Sequence, residues 1–346
     1  MHRRGISSSE LAKLVGVSRS TVSKVINNYS DIPEKTREQI IKAIRRYNYH
    51  PNASAQILAG KKTKTIGLFM STNNFDVGDY LFNFIIVGIV ENCSLLGYHV
   101  LTNTIRDISD PQCIKLIKEA FYQGWIDGGI FMEFSNHEPL IEELIADGFI
   151  VGVLDQGLPG RNELNRLVFN FDNYTPARKA VEYLVGLNHK KIGIINGEIL
   201  KYSGIQKRQG FLDALNDNCI RIEDTWITQG DYSIAGGYQN MKRILNSPAG
   251  RPTGICCGND SIAFGAIRAL NESGLKVPDD VSVVGIDDHM LSARLKPALT
   301  TFRIDFAELL KVIVNKVVYA IEQEVTDPVR VTVEASFMER ESCRRI

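Results

Sequence analysis

The sequence has no apolar run long enough to cross a lipid bilayer. Its densest apolar stretch, residues 84–90, is seven residues long, whereas a spanning helix needs about 18. Residues 1–5 lead into serines and charged residues, and no apolar signal segment follows them. The sequence therefore predicts a protein without a membrane span that works in the cytoplasm.

Cysteine is scarce, and the spacings that bind metals or nucleotides are missing. Six cysteines among 346 residues do not make a disulfide scaffold, no C-x-x-C pair occurs, and the six histidines form no pair at metal-ligand spacing. The chain has no P-loop, no dinucleotide-binding glycine motif after its first predicted strand and no G-x-S-x-G nucleophile elbow. We expect no metal, no cofactor and no catalytic residues.

Acidic residues are few near the start of the chain. Residues 1–64 hold thirteen Lys and Arg against four Asp and Glu, a net charge of +9, and the remainder carries −9, so the whole chain is formally neutral. A basic head on an acidic body predicts a polyanionic partner for the head alone. The alternative is a solvated basic tail, but the head is also apolar and periodic.

Short helices explain the pattern of this head. Ser7 and Glu10 form a capping-box pattern, Gly16 breaks the first helix, and Ser18 can cap a second helix over about 19–27. Two helices joined by a tight turn that contains glycine are typical of a helix-turn-helix, whose second helix fits the major groove of B-DNA.

The second helix presents polar side chains outward, and a third helix completes the bundle. The predicted outward side chains are those of Arg19, Ser20, Ser23, Lys24 and Asn27. Pro33 suits the first turn of the third helix. The predicted buried stripe of that helix comprises Ile40, Ile41, Ile44 and Tyr47.

From about residue 64 the chain alternates short apolar runs with helical patterns. The predicted strands are 66–70, 98–103, 129–132, 150–154, 168–171, 192–195, 254–257 and 281–286. A second series starts near residue 167, so we expect two doubly wound parallel sheets with a cleft between them, an α/β fold. The tail from about residue 300 is predicted to hold one strand, a helix over about 306–324 and a final strand over 329–338.

Several segments resemble the lactose/galactose repressor (LacI/GalR) family of bacterial regulators. In the head they are residues 11–27 (LAKLVGVSRSTVSKVIN), 35–37 (KTR) and 51–60 (PNASAQILAG); in the body they are 258–270 (GNDSIAFGAIRAL), 277–288 (VPDDVSVVGIDD), 297–301 and 339–343. The resemblance covers nearly the whole chain. It implies an all-α helix-turn-helix head and a core of two α/β subdomains resembling periplasmic sugar-binding proteins, with the tail from about residue 300 crossing back to the first.

The resemblance also implies how the head binds DNA. Residues 51–60 match a hinge helix that folds on the operator, and Leu58 matches the leucine that such helices wedge into the minor groove. Arg19, Ser20 and Lys24 are assigned base readout because they lie near the start and outer face of the second helix. The full predicted set is Arg19, Ser20, Thr21, Ser23, Lys24, Asn27, Thr36, Asn52, Ala55 and Leu58.

A ligand site is expected beyond the carboxyl ends of the strands, where open α/β sheets bind their ligands. Asp155 and Asp287 follow predicted strands, and the resemblance implies that Asn259 and Asp287 touch the effector. Carboxylates and amides suit sugar hydroxyls, and aromatic rings cover apolar sugar faces. The predicted effector-binding set is Asp155, Lys207, Tyr232, Asn259, Asp287 and Phe306.

Structural alternatives stay open for two of these residues, and one departs from the family. Asn259 can serve only as a helix cap, and Phe306 can be a plain core residue. Lys207 stands where the family usually has an arginine, in residues 207–211 (KRQGF). Lysine is a point charge and not a bidentate fork, so the ligand class that the arginine indicates does not transfer to this chain.

The sequence therefore predicts a ligand-responsive, sequence-specific repressor of carbohydrate or related catabolic genes, associated with the nucleoid. Residues 1–50 would bind DNA, 51–63 form the hinge and linker, and 64–346 bind the effector and dimerise. A homodimer would read a pseudopalindromic operator; no heptad pattern follows the last predicted strand, which favours a dimer over a tetramer. Two alternatives remain: co-control by a phosphorylated phosphocarrier protein, and an enzyme with a DNA-binding head.

Overall fold

The computed structural model describes residues 6–50, 57, 60–71 and 80–346. The chain divides into two compact units, Met1–Thr63 and Lys64–Ile346. Each unit has its own hydrophobic core. We call them the head and the core.

The head contains the three predicted helices. They are α1 (Ser8–Val15), α2 (Arg19–Ile26) and α3 (Glu34–Arg46). Both halves of the capping box are present, since Ser7 Oγ accepts from Glu10 N at 3.2 Å and Ser7 N donates to Glu10 Oε2 at 2.8 Å. Gly16 follows α1 with a left-handed φ of 74°, a conformation that glycine adopts without steric cost.

The buried interior of the head differs from prediction at its C-terminal end. Leu11, Val22, Val25 and Ile40 are buried as expected, but Tyr47 is 41% exposed. The bend after α3 turns Tyr47 outward, and Tyr49 is buried in its place. Pro33 is also one position earlier than predicted: it is the N-cap residue of α3, not part of its first turn.

The core contains a six-stranded parallel sheet with helices between its strands. The strands are β1 (Thr65–Ser71), β2 (His99–Ile105), β3 (Gly128–Met132), β4 (Val151–Leu154), β5 (Arg166–Phe171) and β11 (Val329–Val333), and their order is β11-β5-β4-β3-β1-β2. The helices in this half are α4 (Tyr80–Leu95), α5 (Pro111–Tyr122) and α6 (Pro139–Ala146). The prediction that residues 168–171 open the second sheet is wrong, because β5 pairs with β4.

A second parallel sheet has the order β7-β6-β8-β9. Its strands are β6 (Ile192–Asn196), β7 (Ile227–Gln229), β8 (Gly254–Cys257) and β9 (Ser282–Val284). Its helices are α7 (Tyr174–Gly186), α8 (Tyr202–Asp217), α9 (Ile234–Leu245) and α10 (Asp260–Glu272). Sequence patterns missed β7, because this short edge strand is only partly buried and shows no apolar run.

The tail crosses between the two halves of the core. A strand β10 (Thr301–Ile304) precedes a long helix α11 (Phe306–Glu322), which packs on α4 of the first half. The predicted single strand over 329–338 is two strands. One is β11, and the other, β12 (Ala335–Met338), pairs antiparallel with β10. The expected return of the tail to the first sheet is thus made by α11 and β11.

Candidate functional site

The outer face of α2 exposes most of the polar side chains that were assigned to DNA. Arg19, Ser20, Ser23 and Lys24 are exposed, and Thr21 is partly buried. Ser18 Oγ accepts from Thr21 N at 3.0 Å and so caps the helix. A capped helix with an exposed polar face is the geometry that major-groove reading requires.

Several of the side chains assigned to DNA already have partners in the head, among them Lys24 and Asn27. The Lys24 ammonium pairs with the carboxylate of Asp31, and this hydrogen bond lowers the pKa of Asp31. Lys61 donates to Asn27 Oδ1. Thr36 is partly buried near the start of α3. The predicted contacts Asn52, Ala55 and Leu58 lie outside the described residues.

All six predicted effector-binding side chains line one cavity of about 370 Å³ in the core. They arrive from different elements: Asp155 follows β4, Lys207 lies on α8, Tyr232 follows β7, Asn259 caps α10, Asp287 follows β9, and Phe306 begins α11. The positions after β4, β7 and β9 are those at which open α/β sheets bind ligands.

Asp155 has one carboxylate oxygen with a partner and one without. Its Oδ2 accepts from Ser203 Oγ at 2.7 Å, whereas its buried Oδ1 has no hydrogen-bond partner. Burial in the cavity wall raises the pKa of Asp155 to about 6. A buried oxygen without a donor is costly, so a ligand hydroxyl that donates to Oδ1 would be bound favourably.

Lys207 is a buried residue of the cavity lining and packs against aromatic rings. Its ammonium donates to the Gly258 carbonyl at 2.8 Å and lies 5.1 Å from the centre of the Tyr232 ring. Burial lowers the pKa of Lys207, while the nearby carboxylates of Asp287 and Asp155 oppose that shift. One lysine thus offsets part of the negative charge that the two aspartates bring to the cavity.

The Tyr232 ring can occupy its position only because residue 197 is a glycine. A Cβ on Gly197 would lie 1.9 Å from Tyr232 Cζ. The Tyr232 hydroxyl lies 3.1 Å from Ser203 Oγ, and burial raises the pKa of the phenol well above its usual range. The ring therefore stays neutral and presents an apolar surface to the cavity.

Asn259 and Phe306 do the structural work that the alternative interpretations described. Asn259 Oδ1 accepts from Ile262 N at 2.8 Å, which caps α10, and its Nδ2 donates to the Tyr232 carbonyl at 3.1 Å. Phe306 is 7% exposed and packs edge-on against Phe171 with ring centres 5.9 Å apart. Both also line the cavity, so the structural position and a ligand contact are compatible.

Sequence reasoning missed Asp260, a buried carboxylate in the cavity wall. It is 1% exposed and accepts from Ser292 Oγ, Thr301 Oγ1 and His289 N at 2.6, 2.5 and 2.8 Å. Burial, reinforced by the charge of Asp287, raises the pKa of Asp260 to about 8. An aspartate that begins a helix is usually read as part of the cap, so sequence gave no signal for this network.

Strained backbone is concentrated around the cavity. Ten residues other than glycine have positive φ angles in the described ranges, and five of them line the cavity: Glu133, Asp155, Tyr232, Asp287 and Asp288. Such conformations cost roughly 1–3 kcal/mol each and are concentrated at functional sites. Single-residue propensity cannot predict them, because the surrounding packing imposes them.

The described part of the chain offers neither a metal site nor a membrane-spanning helix. No three His, Cys, Asp or Glu side chains among the described residues cluster so that they could hold a metal ion. Within the same residues, no helix has the length and apolar character needed to cross a bilayer.

Family models match both units. Residues 9–52 match the model described as bacterial regulatory proteins, lacI family, and residues 181–343 match that of a periplasmic binding protein-like domain. The chain is 30% identical over 343 residues to the probable HTH-type transcriptional repressor ExuR of Bacillus subtilis (strain 168), which covers 97% of this chain and 98% of the relative. It is 31% identical over 334 residues to the HTH-type transcriptional repressor PurR of Escherichia coli, which covers 96% and 95%.

Solved structures show the same architecture. A lac repressor dimer bound to operator and the anti-inducer ONPF aligns with a TM-score of 0.83 at 27% identity, over 99% of this chain and 100% of that one. The complex of the transcriptional regulator CelR with cellobiose aligns with a TM-score of 0.74 at 26% identity, over 97% and 99%. These relatives are regulators of transcription, and they support the predicted α/β fold with a helical head.

Proposed function

This chain belongs to the LacI family of bacterial regulatory proteins and is a ligand-responsive, DNA-binding transcriptional repressor; we propose that it represses genes for the use of a carbohydrate or a related compound. In this proposal the head reads the operator and the core senses the compound. In this proposal residues 1–50 bind DNA, 51–63 link, and 64–346 sense and dimerise; the division of the chain after Thr63 supports the last of these boundaries.

Operator reading is assigned to the exposed face of α2. Arg19 and Ser20 are exposed at the start of the helix, where side chains reach base edges. Lys24 would exchange its pairing with Asp31 for a phosphate or a base. The remaining assigned contacts are those of Thr21, Ser23, Asn27, Thr36, Asn52 and Ala55, with Leu58 as the minor-groove wedge. Two copies would read the half-sites of a pseudopalindrome.

Effector binding is assigned to the cavity of the core, and the observation that supports this assignment is that carboxylates and aromatic rings line the cavity together. Asp155 Oδ1 is buried without a donor, and Asp287 lines the same cavity. The Tyr232 and Phe306 rings supply apolar faces nearby. Carboxylates accept hydroxyl bonds while rings cover apolar faces, which is the combination that a sugar or a sugar derivative requires.

Calorimetric titration of the full chain with neutral sugars, sugar acids and nucleosides tests the assignment. We expect one sugar or sugar derivative to bind and to change operator affinity in a mobility-shift assay, since a ligand shifts a conformational equilibrium only through differential affinity. Asp155→Ala should abolish the heat of binding, and Asp280→Ala, outside the cavity, should not. Binding of nucleosides alone, or an operator affinity that answers only to a phosphorylated carrier protein, would contradict the carbohydrate proposal.

A further inference from the structure

One buried carboxylate connects three segments of the cavity wall. Asp260 begins α10, and its Oδ2 accepts from both His289 N and Ser292 Oγ, in the loop that follows β9. Its Oδ1 accepts from Thr301 Oγ1 at the start of β10. The Asp260 amide in turn donates to the Ile286 carbonyl at 2.8 Å. Helix, loop and crossing strand therefore meet at this single side chain.

The loop held by Asp260 carries two of the acidic residues of the cavity. Asp287 and Asp288 both have positive φ angles, 117° and 56°, so the backbone there needs support from its surroundings. The Asp287 amide donates to the Phe302 carbonyl at 2.8 Å, and the Asp288 amide lies 3.4 Å from Thr301 Oγ1. Thr301 thus contacts both Asp260 and the loop.

The sequence leaves space for this carboxylate. A Cβ on Gly285, between β9 and the loop, would lie 2.1 Å from Asp260 Oδ1. A buried carboxyl group of this kind is costly unless donors surround it. Here three donors do so within 2.8 Å, and all three belong to segments that line or adjoin the cavity.

We propose that Asp260 is a positioning residue for effector recognition: without touching the effector, it fixes residues 287–292 and the start of β10 so that Asp287 presents its carboxylate to the cavity. This inference rests on the proposed function in one respect, the use of the cavity for an effector. The loop geometry itself does not depend on any ligand. Two measurements on the full chain therefore separate the two ideas.

Hydrogen exchange tests the positioning role without a ligand. In Asp260→Leu, which removes the acceptors and keeps a branched side chain, the amides of 287–292 should exchange at least tenfold faster than in wild type, while those of α7 stay unchanged. Asp260→Asn keeps a polar atom at both the Oδ1 and the Oδ2 positions, and its 287–292 amides should keep most of the wild-type protection from exchange. Ser292→Ala and Thr301→Val each remove one donor and should give intermediate effects even if Asp260→Leu fails to fold. Unchanged loop exchange, or a uniform rise across the chain, overturns the proposal.

Calorimetry with cellobiose, D-galactose, D-galacturonate and adenosine tests the consequence for recognition. For whichever compound binds wild type, Asp260→Leu and Gly285→Ala should weaken binding at least tenfold, Asp260→Asn less than threefold, and the matched control Asp280→Asn not at all. Equal affinities in all variants overturn the proposal and leave the effector cavity standing. If adenosine binds wild type and none of the three sugars does, the carbohydrate assignment fails, and loop exchange alone decides the role of Asp260.

Discussion

The helix caps of the head and the polar contacts of the core cavity differ in how far apart in sequence their residues lie. In the head, Ser7 bonds Glu10 and Ser18 bonds Thr21, both at a separation of three residues. In the cavity, Asp155 bonds Ser203, 48 residues away, and Asp260 bonds Thr301, 41 residues away. A contact between residues three positions apart can be predicted from a local sequence pattern. A contact between residues more than 40 positions apart forms only when the fold brings them together, so no local pattern predicts it.

Charge and backbone separate the two regions as well. The first 64 residues carry a net charge of +9, which suits a polyanion, whereas the cavity gathers several carboxylates around one buried lysine. Half of the non-glycine residues with positive φ in the described ranges line that cavity. The head thus presents an exposed basic helical surface. The cavity is lined by residues in unfavourable backbone conformations, which the packing of the core must stabilise.

The largest expected effect comes from separating the two units. Residues 64–346 expressed alone should lose all measurable operator binding, because the basic charge and α2 belong to the head. For the full chain, log affinity should fall with log salt by about 0.9 per phosphate neutralised. Fluorescence anisotropy with labelled operator measures both. Operator binding by residues 64–346 at the affinity of the full chain would contradict the assignment of DNA binding to the head.

The next largest effect is expected at Arg19. A bidentate arginine–guanine contact is worth roughly 1–3 kcal/mol of discrimination between bases. Arg19→Ala should therefore lower the affinity for the preferred operator by about tenfold to a hundredfold and reduce the base preference at one operator position. Selection from a randomised operator library measures that preference. Lys13→Ala, an exposed cation on α1, is the matched control and should change affinity without changing base preference. An unaltered preference at every position in Arg19→Ala removes the readout role.

Features that depend on residues close in sequence were predicted from local patterns, and features that depend on distant residues were not. Caps, the glycine turn and the alternation of strands and helices were predicted correctly, because each depends on neighbours within a few residues. The partner of β5, the edge strand β7 and the break at Glu334 between β11 and β12 were not. The six cavity residues came from resemblance and strand ends, whereas Asp260 was missed because its donors lie 29 to 41 residues away.

A smaller effect is expected when the cavity loses an acceptor. Asp287→Ala should weaken effector binding by at least about tenfold, or 1.4 kcal/mol, because a charged hydrogen bond contributes roughly 1.5–3 kcal/mol. Operator affinity without effector should stay close to wild type, which would leave a repressor that binds DNA and ignores its signal. Calorimetry and a mobility-shift assay measure the two properties. A normal response of Asp287→Ala to the effector would exclude the contact, and a lowered melting temperature would instead indicate a structural aspartate.

The smallest effect is expected in the pH dependence of stability. Burial raises the pKa of Asp155 to about 6, above the 3.9 usual for an unfolded chain, so the folded state holds this proton more tightly. The stabilisation is present below about pH 4 and is lost as pH rises through 6.

Asp155→Asn has no ionisable group at this position and so cannot lose this stabilisation. The free energy of unfolding of Asp155→Asn should therefore rise relative to that of wild type between pH 4 and 7. Because Asp155 as a whole residue is only partly buried, although its Oδ1 is shielded from solvent, we expect a relative change of only about 1 kcal/mol. Urea unfolding at several pH values measures it, and the comparison at about pH 3, where the carboxyl is largely neutral in both the folded and the unfolded chain, is the internal control. Parallel stability curves for the two chains would mean that Asp155 lies in an ordinary solvated environment. The contrast between a buried, charged cavity and an exposed head would then no longer hold at Asp155.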